Sequence, residues 1–156
     1  HYQEAKTFLS EDRIVGIFNQ GSGNYGLDVP TSDVDTKLIV TPTFNEVVLN
    51  KKPISTTHVR ANNEHIDLKD IRLMLATFRK QNLNFIEILF TPYFIVNPTF
   101  ADEWGRLQAQ KEKIAHYSPY NAVKTMKGIA RWSMSTLVKS QFSLNMVMIQ
   151  NNCNIY

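Results

Sequence analysis

The stretch RIVGIFNQGSGNYGLDVPTSDVDTKLIV, residues 13–40, decides how this chain folds. It holds two compact apolar runs, residues 13–18 and 36–40, and each is typical of a buried β-strand. Between them lie a glycine-rich turn, Gly21–Gly26, and two acids that are two residues apart, Asp33 and Asp35. The stretch therefore predicts two core strands joined by a polar connection.

Further along the chain the pattern changes from strands to helices. Residues 55–61 and 64–69 are predicted to pair as a hairpin around Asn62 and Asn63. After Asp70, a candidate N-cap, apolar residues recur with the spacing of an amphipathic helix. Other helices are predicted over residues 3–10, 101–115 and 119–139, whereas residues 84–90 fit either a helix or a strand. Strands first and helices later indicate an α+β fold with a small mixed sheet.

Length and composition bound the class of protein. The chain has 156 residues, of which 43% are apolar and 20% charged, so a single globular domain is expected. We expect residues 1–100 to form the core and residues 101–156 to be a helical, truncated part of the same domain. Because residue 1 is not methionine, a processed or excised chain is expected. No apolar run is long enough to cross a membrane, and a lone cysteine, Cys153, favours a cytoplasmic location.

Charge is distributed unevenly along the chain. Residues 1–103 carry ten Lys and Arg against thirteen Asp and Glu, whereas residues 104–156 carry seven against Glu112 alone. An acidic part beside a basic part suits a polyanion held through metal ions and lysines. Without other evidence, a solvated basic helical face is the simpler interpretation.

The turn Gly21–Gly26 also fits the G-x-G-x-x-G pattern of dinucleotide-binding folds. Such folds need a crossover helix of about a dozen residues between parallel strands. Pro30 comes four residues after Gly26 and the next predicted strand begins near Thr36, so the connection is too short. A Walker A loop would need Lys-Ser or Lys-Thr after the glycines, and a kinase loop would need valine where Asp28 stands.

A different spacing fits better: Gly21-Ser22, ten residues, then Asp33-Val34-Asp35. If both acids lie on one strand, their carboxylates point to the same face, where they can share Mg²⁺. The free N–H groups of the Gly-Ser turn can bind phosphate oxygens beside that metal. This pattern predicts a metal-dependent phosphoryl-transfer site.

The motifs Gly21-Ser22, Tyr25-Gly26 and Ser32-Asp33-Val34-Asp35 resemble those of the DNA polymerase beta-like nucleotidyltransferases, and most of all the small bacterial and phage-encoded nucleotidyltransferase-domain proteins. The resemblance continues through residues 65–72 and 82–90 and covers residues 13 to about 98. One departure is Gln81-Asn-Leu-Asn84, where Asn-Pro would be expected.

The resemblance implies a role for each part of the motif. The turn, with Gly21, Ser22, Gly23 and Tyr25, would bind the nucleotide, and the Asp pair would hold Mg²⁺, with Mn²⁺ as a substitute. A third carboxylate on a neighbouring strand would complete the metal site.

Three acids compete for the third position: Glu64, Asp67 and Asp70. Asp67 is favoured because Ile66 and Leu68 flank it, and an acid in an apolar strand is costly unless it is paired or binds metal. Glu64 belongs to a turn, and Asp70 is explained as a helix cap. His65 shares a strand face with Asp67 if both are extended, although a structural histidine is the simpler interpretation.

Together these patterns predict a Mg²⁺-dependent nucleotidyltransferase that moves a nucleoside monophosphate from an NTP, ATP in the first instance, to an acceptor hydroxyl. Lys124 and Lys127, which share a helical stripe with Arg131, are expected to reach the β- or γ-phosphate. The acceptor is left open between RNA, protein and a small molecule, and no membrane is expected. The alternative hypothesis is a non-catalytic nucleotide- or nucleic-acid-binding module, such as an antitoxin-like partner protein.

Overall fold

The computed structural model describes residues 1–27, 29, 32–128 and 130–131. The chain divides after Ser118 into two compact units. The first unit holds the whole described sheet, and residues 119–128 of the second unit are helical. Residues 132–139 of the predicted final helix and Cys153 lie outside the described residues. No helix in the described ranges is long and apolar enough to cross a membrane.

Strands and helices are mixed in the first unit, which confirms the predicted α+β fold. In the described part of the chain the sheet has five strands: β1 (Ile14–Gln20), β2 (Asp35–Val40), β3 (Ser55–Val59), β4 (His65–Asp70) and β5 (Phe94–Val96). The α-helices described in the first unit are α1 (Tyr2–Phe8), α2 (Phe44–Val48), α3 (Met74–Arg79), α4 (Leu83–Ile86), α5 (Ala101–Gln108) and α6 (Lys111–Ala115).

The sheet is mixed, in the order β3-β4-β2-β1-β5. β2 and β4 are parallel, and the other neighbouring pairs are antiparallel. Because β1 and β2 pair directly as antiparallel neighbours, they do not form the parallel crossover unit of a dinucleotide-binding fold. This confirms the prediction that the glycine-rich turn does not belong to a dinucleotide-binding fold.

Side chains alternate between two faces of the sheet, and the two faces differ. The apolar face packs against Ala5 of α1 and consists of Ile14, Ile17, Leu38, Val40, Ile66 and Leu68. The mixed face is apolar at Val15, Phe18 and Ile39, which pack against side chains of α3, α4 and α5. By the same alternation it carries charged or polar groups at Asp35, Lys37, His65, Asp67 and Lys69.

Several elements differ from the predicted pattern. The predicted helix 101–115 is interrupted at residues 109–110, and residues 44–48 form a short helix that was not predicted. Residues 84–90 fit either a helix or a strand by sequence, and residues 83–89 are helical in the structure. Strand β5 was not predicted, because three half-exposed residues after Thr91-Pro-Tyr93 carry too little pattern.

Candidate functional site

The turn after β1 has a backbone that favours glycine at both ends. Gly21 has φ 81° and ψ −151°, a conformation open almost only to glycine, and Gly26 lies in the left-handed region at φ 64°. Between them Ser22–Tyr25 form a 3₁₀ turn. The glycines therefore set the path of the chain where β1 ends.

Glu87 binds this turn through its carboxylate. Its Oε1 accepts the backbone N–H of Gly21 at 3.1 Å and the side-chain N–H of Asn24 at 2.5 Å. The Oδ1 of Asn24 accepts in turn from Asn19 at 3.1 Å and from the Thr91 hydroxyl at 2.7 Å. The amide of Gly21 is thus held in position and already bonded to an anionic oxygen.

Asp35 is the first residue of β2 and lines one cleft with Gly21. His65 donates its backbone N–H to Oδ1 of Asp35 at 3.1 Å, and the ring Nδ1 of His65 lies 3.0 Å from the same oxygen. The second carboxylate oxygen of Asp35 has no partner among the described residues, and the side chain is 43% exposed. Asp35 lines a cleft of 360 Å³ together with Gly21, His65 and Glu87.

Asp33 lies before β2 rather than on it. The strand begins only at Asp35, so the alternation that places strand residues on one face does not extend to Asp33. Asp33 is exposed and has no hydrogen-bond or ion partner in the described ranges. It lines a separate cleft of 440 Å³ with Gly23 and Gly26.

Asp67 is held by two lysines. The parallel register places Asp67 of β4 opposite Lys37 of β2, and Lys37 Nζ lies 2.8 Å from Oδ2. Lys69 Nζ lies 3.1 Å from Oδ1, which also accepts the hydroxyl of Thr57 at 3.3 Å. Both oxygens of Asp67 are therefore occupied, so a metal ligated here would have to share or displace a lysine.

Lys37 is one of the most buried charges in the described structure, with its side chain 3% exposed. Its ammonium lies 5.0 Å from the centre of the Phe85 ring, a distance typical of a cation–π contact. Burial lowers the pKa of Lys37, although the bond to Asp67 opposes that effect. Asp67 therefore favours the charged form of Lys37, against the effect of burial.

The other two candidates for the third acid have structural partners. Glu64 pairs with the ring of His1 at 2.9 Å and with Arg60. Asp70 is fully buried and accepts from Arg72 at 2.6 Å. Burial acts against the charged form of Asp70, but the hydrogen bonds of Arg72 outweigh it and lower the pKa of Asp70. Both acids thus stabilise local structure.

The remaining predicted nucleotide ligands are placed as follows. Ser22 and Gly23 are half-buried in the 3₁₀ turn, and Tyr25 is exposed. Lys124 and Lys127 are exposed on the helical segment of the second unit. Their contact with phosphate stays a prediction.

Of the three acids predicted to bind Mg²⁺, two have carboxylate oxygens without a partner among the described residues. Among the described residues no three His, Cys, Asp or Glu side chains form a group that could hold a metal ion. Mg²⁺, however, usually keeps several waters and binds one or two carboxylates together with substrate phosphates. Asp33 and the free oxygen of Asp35 are donors of that kind, whereas Asp67 is engaged by lysines.

Sequence reasoning missed Lys37 and Glu87. The signal for Glu87 was the one used for Asp67, because this acid stands between two apolar residues, Ile86 and Ile88. Lys37 interrupts the apolar run of β2 in the same way. A charged residue inside an apolar segment indicates that its side chain is paired. The partner can be identified only when the register of the neighbouring strands is known.

No family model, curated protein or solved structure matches this chain.

Proposed function

We propose that this chain is a Mg²⁺-dependent nucleotidyltransferase that transfers a nucleoside monophosphate from an NTP to an acceptor hydroxyl. The observation that carries the proposal is the bond from the Gly21 amide to the carboxylate of Glu87. An amide that already binds an anionic oxygen, in one cleft with Asp35, suits a phosphate group next to a metal-binding carboxylate.

Each residue has a proposed role in binding the nucleotide. The backbone at Gly21 and Gly23 and the hydroxyl of Ser22 hold the β- and γ-phosphates once Glu87 has released the Gly21 amide. Asp33 and Asp35 hold Mg²⁺, which when bound neutralises charge on the triphosphate.

The proposed transfer balances as a displacement at the α-phosphorus. The acceptor oxygen forms a bond to that phosphorus, the bond to the bridging oxygen of the β-phosphate breaks, and pyrophosphate leaves. Asp67 orients the acceptor hydroxyl and takes its proton. Lys37 and Lys69 hold the Asp67 carboxylate in place for that role.

A second candidate function is supported by the same lysines. Because Lys37 and Lys69 occupy both oxygens of Asp67, the third acid is neutralised by the chain itself. A nucleotide-binding module without transferase activity would need no free carboxylate there. This alternative keeps the Gly21 turn as a phosphate site and assigns no chemistry to Asp67.

The test separates the two functions. The protein is incubated with Mg²⁺, each labelled NTP and a cell extract that supplies acceptors, and both pyrophosphate release and the labelled product are followed. We expect transfer by the wild type and none by the double variant Asp33→Asn and Asp35→Asn. Asp102→Asn, which changes an exposed acid of α5, is the matched control and should keep full activity.

Thermal unfolding of each variant confirms that the fold is retained. Unchanged turnover by the double variant would overturn the assignment of Asp33 and Asp35. NTP binding without pyrophosphate release from any NTP would favour the non-catalytic module.

A further inference from the structure

A second polar cleft, here called the lysine cleft, lies beside the cleft that Gly21 and Asp35 line. It has a volume of 330 Å³, and its lining includes Lys37, Asp67, Lys69, Ser55, Asn82 and Asn84. These residues come from three strands, from α4 and from Asn82, the residue before α4. The lining is thus assembled by the fold rather than by one exposed loop.

The charges of the lysine cleft do not cancel. Lys37 and Lys69 face a single carboxylate, Asp67, and each lysine binds a different oxygen of it. The described charges that line the cleft therefore leave one positive charge in excess. Such an excess favours a ligand that carries a negative charge.

Lys37 gives a reason why an anion would bind here. An ammonium has three N–H donors, and those of Lys37 have one hydrogen-bond acceptor among the described residues, Asp67. The side chain is 3% exposed, so water does little to satisfy the others. Burying a charge is costly unless it is paired and hydrogen-bonded, and a second anionic oxygen would offset that cost.

The neutral groups of the cleft narrow the class of ligand. Ser55 donates or accepts through its hydroxyl and already accepts from Lys69 at 2.7 Å. Asn82 and Asn84 add amides that can bond to hydroxyl and carboxylate or phosphate oxygens. The volume suits a small molecule rather than a polymer chain.

The lysine cleft adjoins the cleft of Gly21 and Asp35. Asn84 lines both of them. Thr57 lines the Gly21 cleft, and its hydroxyl donates to Asp67 in the lysine cleft at 3.3 Å. A ligand in the lysine cleft would therefore lie next to a nucleotide bound at Gly21.

We propose that the lysine cleft is the acceptor subsite and that it takes a small hydroxyl compound bearing an anionic oxygen group, a phosphate or a carboxylate. Its role as acceptor subsite rests on the proposed function, whereas the binding of the anion does not. Lys37 and Lys69 bind the anionic group of this compound, and Asn82 and Asn84 bind the neutral oxygens of the rest of the compound.

The test measures anion binding to the metal-free full chain by amide NMR. Inorganic phosphate and acetate are titrated separately, so that the two arms distinguish a phosphate group from a carboxylate. For at least one of them we expect shifts at Lys37, Thr57 and Lys69. In Lys69→Met the dissociation constant should rise at least tenfold. The matched control is Lys52→Met, which removes an exposed lysine outside the cleft and should bind as the wild type does.

Two further variants keep the outcome decisive. Lys69 is more exposed than Lys37, so Lys69→Met is chosen first. If Lys69→Met does not fold, Asn82→Ala is the second variant, because Asn82 lines the lysine cleft and not the Gly21 cleft. Gly21→Val reports on the nucleotide turn. Loss of anion binding in Lys69→Met with retention in Gly21→Val supports the lysine cleft, even for a protein without transferase activity.

Other results overturn the proposal. If neither anion binds the wild type, the cleft is not an anion site. If binding survives Lys69→Met and is lost in Gly21→Val, the anion occupies the nucleotide turn, so the subsite is refuted while the proposed function stands.

Discussion

The two faces of the sheet have the same strands and opposite chemistry. On the apolar face, β2 and β4 contribute Leu38 and Ile66, both fully buried. On the mixed face the same two strands contribute Lys37 and Asp67, an ion pair with the lysine almost as deeply buried. The apolar face therefore has a mostly uncharged core, in which β4 contributes one acid, Asp70, paired with Arg72. The mixed face instead brings Lys37 and Lys69 together with Asp67.

The difference between the two faces indicates which residues stabilise the fold and which are available for binding. Apolar burial stabilises a fold in proportion to the area removed from water, whereas a buried ion pair contributes little net stability. We therefore expect substitutions on the apolar face to act on unfolding and those on the mixed face to act on binding. The predictions below test this division, from the largest expected effect to the smallest.

Leu38→Ala should be the most destabilising of these changes. Removing a fully buried leucine side chain leaves a cavity and typically costs about 2–5 kcal/mol in the free energy of unfolding. Urea unfolding measures the loss. Lys69→Met, on the mixed face of the neighbouring strand, is the comparison and should cost far less. An equal loss in the free energy of unfolding for the two variants would contradict the proposed difference between the faces.

Asp70→Asn tests the one acid of β4 that lies on the apolar side. Loss of its charged hydrogen bonds with Arg72 should cost roughly 1.5–3 kcal/mol at neutral pH. The pKa of Asp70 is lower in the folded chain than in the unfolded chain. The stabilisation is therefore fully present at a pH above the unfolded-state pKa, and it is lost as the pH falls through the folded-state pKa. The wild type and the variant should therefore converge in acid.

Unfolding of both proteins at neutral pH and at progressively lower pH measures this convergence. Asp102→Asn again serves as the exposed control. A difference between wild type and Asp70→Asn that stays constant with pH would assign the loss to packing rather than to charge.

Gly21→Val should affect nucleotide binding more than folding. A Cβ added at Gly21 meets no atom within 4 Å outside the neighbouring residues, so packing does not oppose the change. Valine is strained at φ 81° and ψ −151°, however, and the backbone of the turn must therefore change its path. We expect NTP affinity to fall about tenfold, or about 1.4 kcal/mol, and to fall less in Ser22→Ala. Gly26→Asn, at a left-handed position that asparagine tolerates, is the matched control. Titration calorimetry that gives Gly21→Val the wild-type dissociation constant would refute the phosphate turn.

Sequence predicted most of the sheet because its signals are local. The runs that became β1 and β2 are compact and apolar, and the hairpin of β3 and β4 is marked by Asn62-Asn63, where Asn63 adopts a positive φ of 66°. The cap at Asp70 was also confirmed, since its side chain accepts the N–H of Arg72. Each of these features depends on residues close together in the chain.

The contacts of the candidate site depend on residues far apart. Lys37 meets Asp67 only because β2 and β4 are parallel and in register, and Glu87 reaches Gly21 across 66 positions of sequence. A sequence pattern shows that a buried charge needs a partner but does not choose the partner. The strand start at Asp35, which leaves Asp33 outside the shared face, was likewise not visible in the D-x-D spacing.

The short strand β5 has a consequence for truncated versions of this chain. Its three residues pair with Gly16–Phe18 and so cover the outer edge of β1, the strand whose first five residues are all buried. A version that ends at Phe90 would keep the Gly21 turn but expose that apolar edge to other chains, and unprotected edges promote intermolecular strand pairing. Such a fragment should form aggregates, and expression studies of the site need the chain to extend beyond Val96.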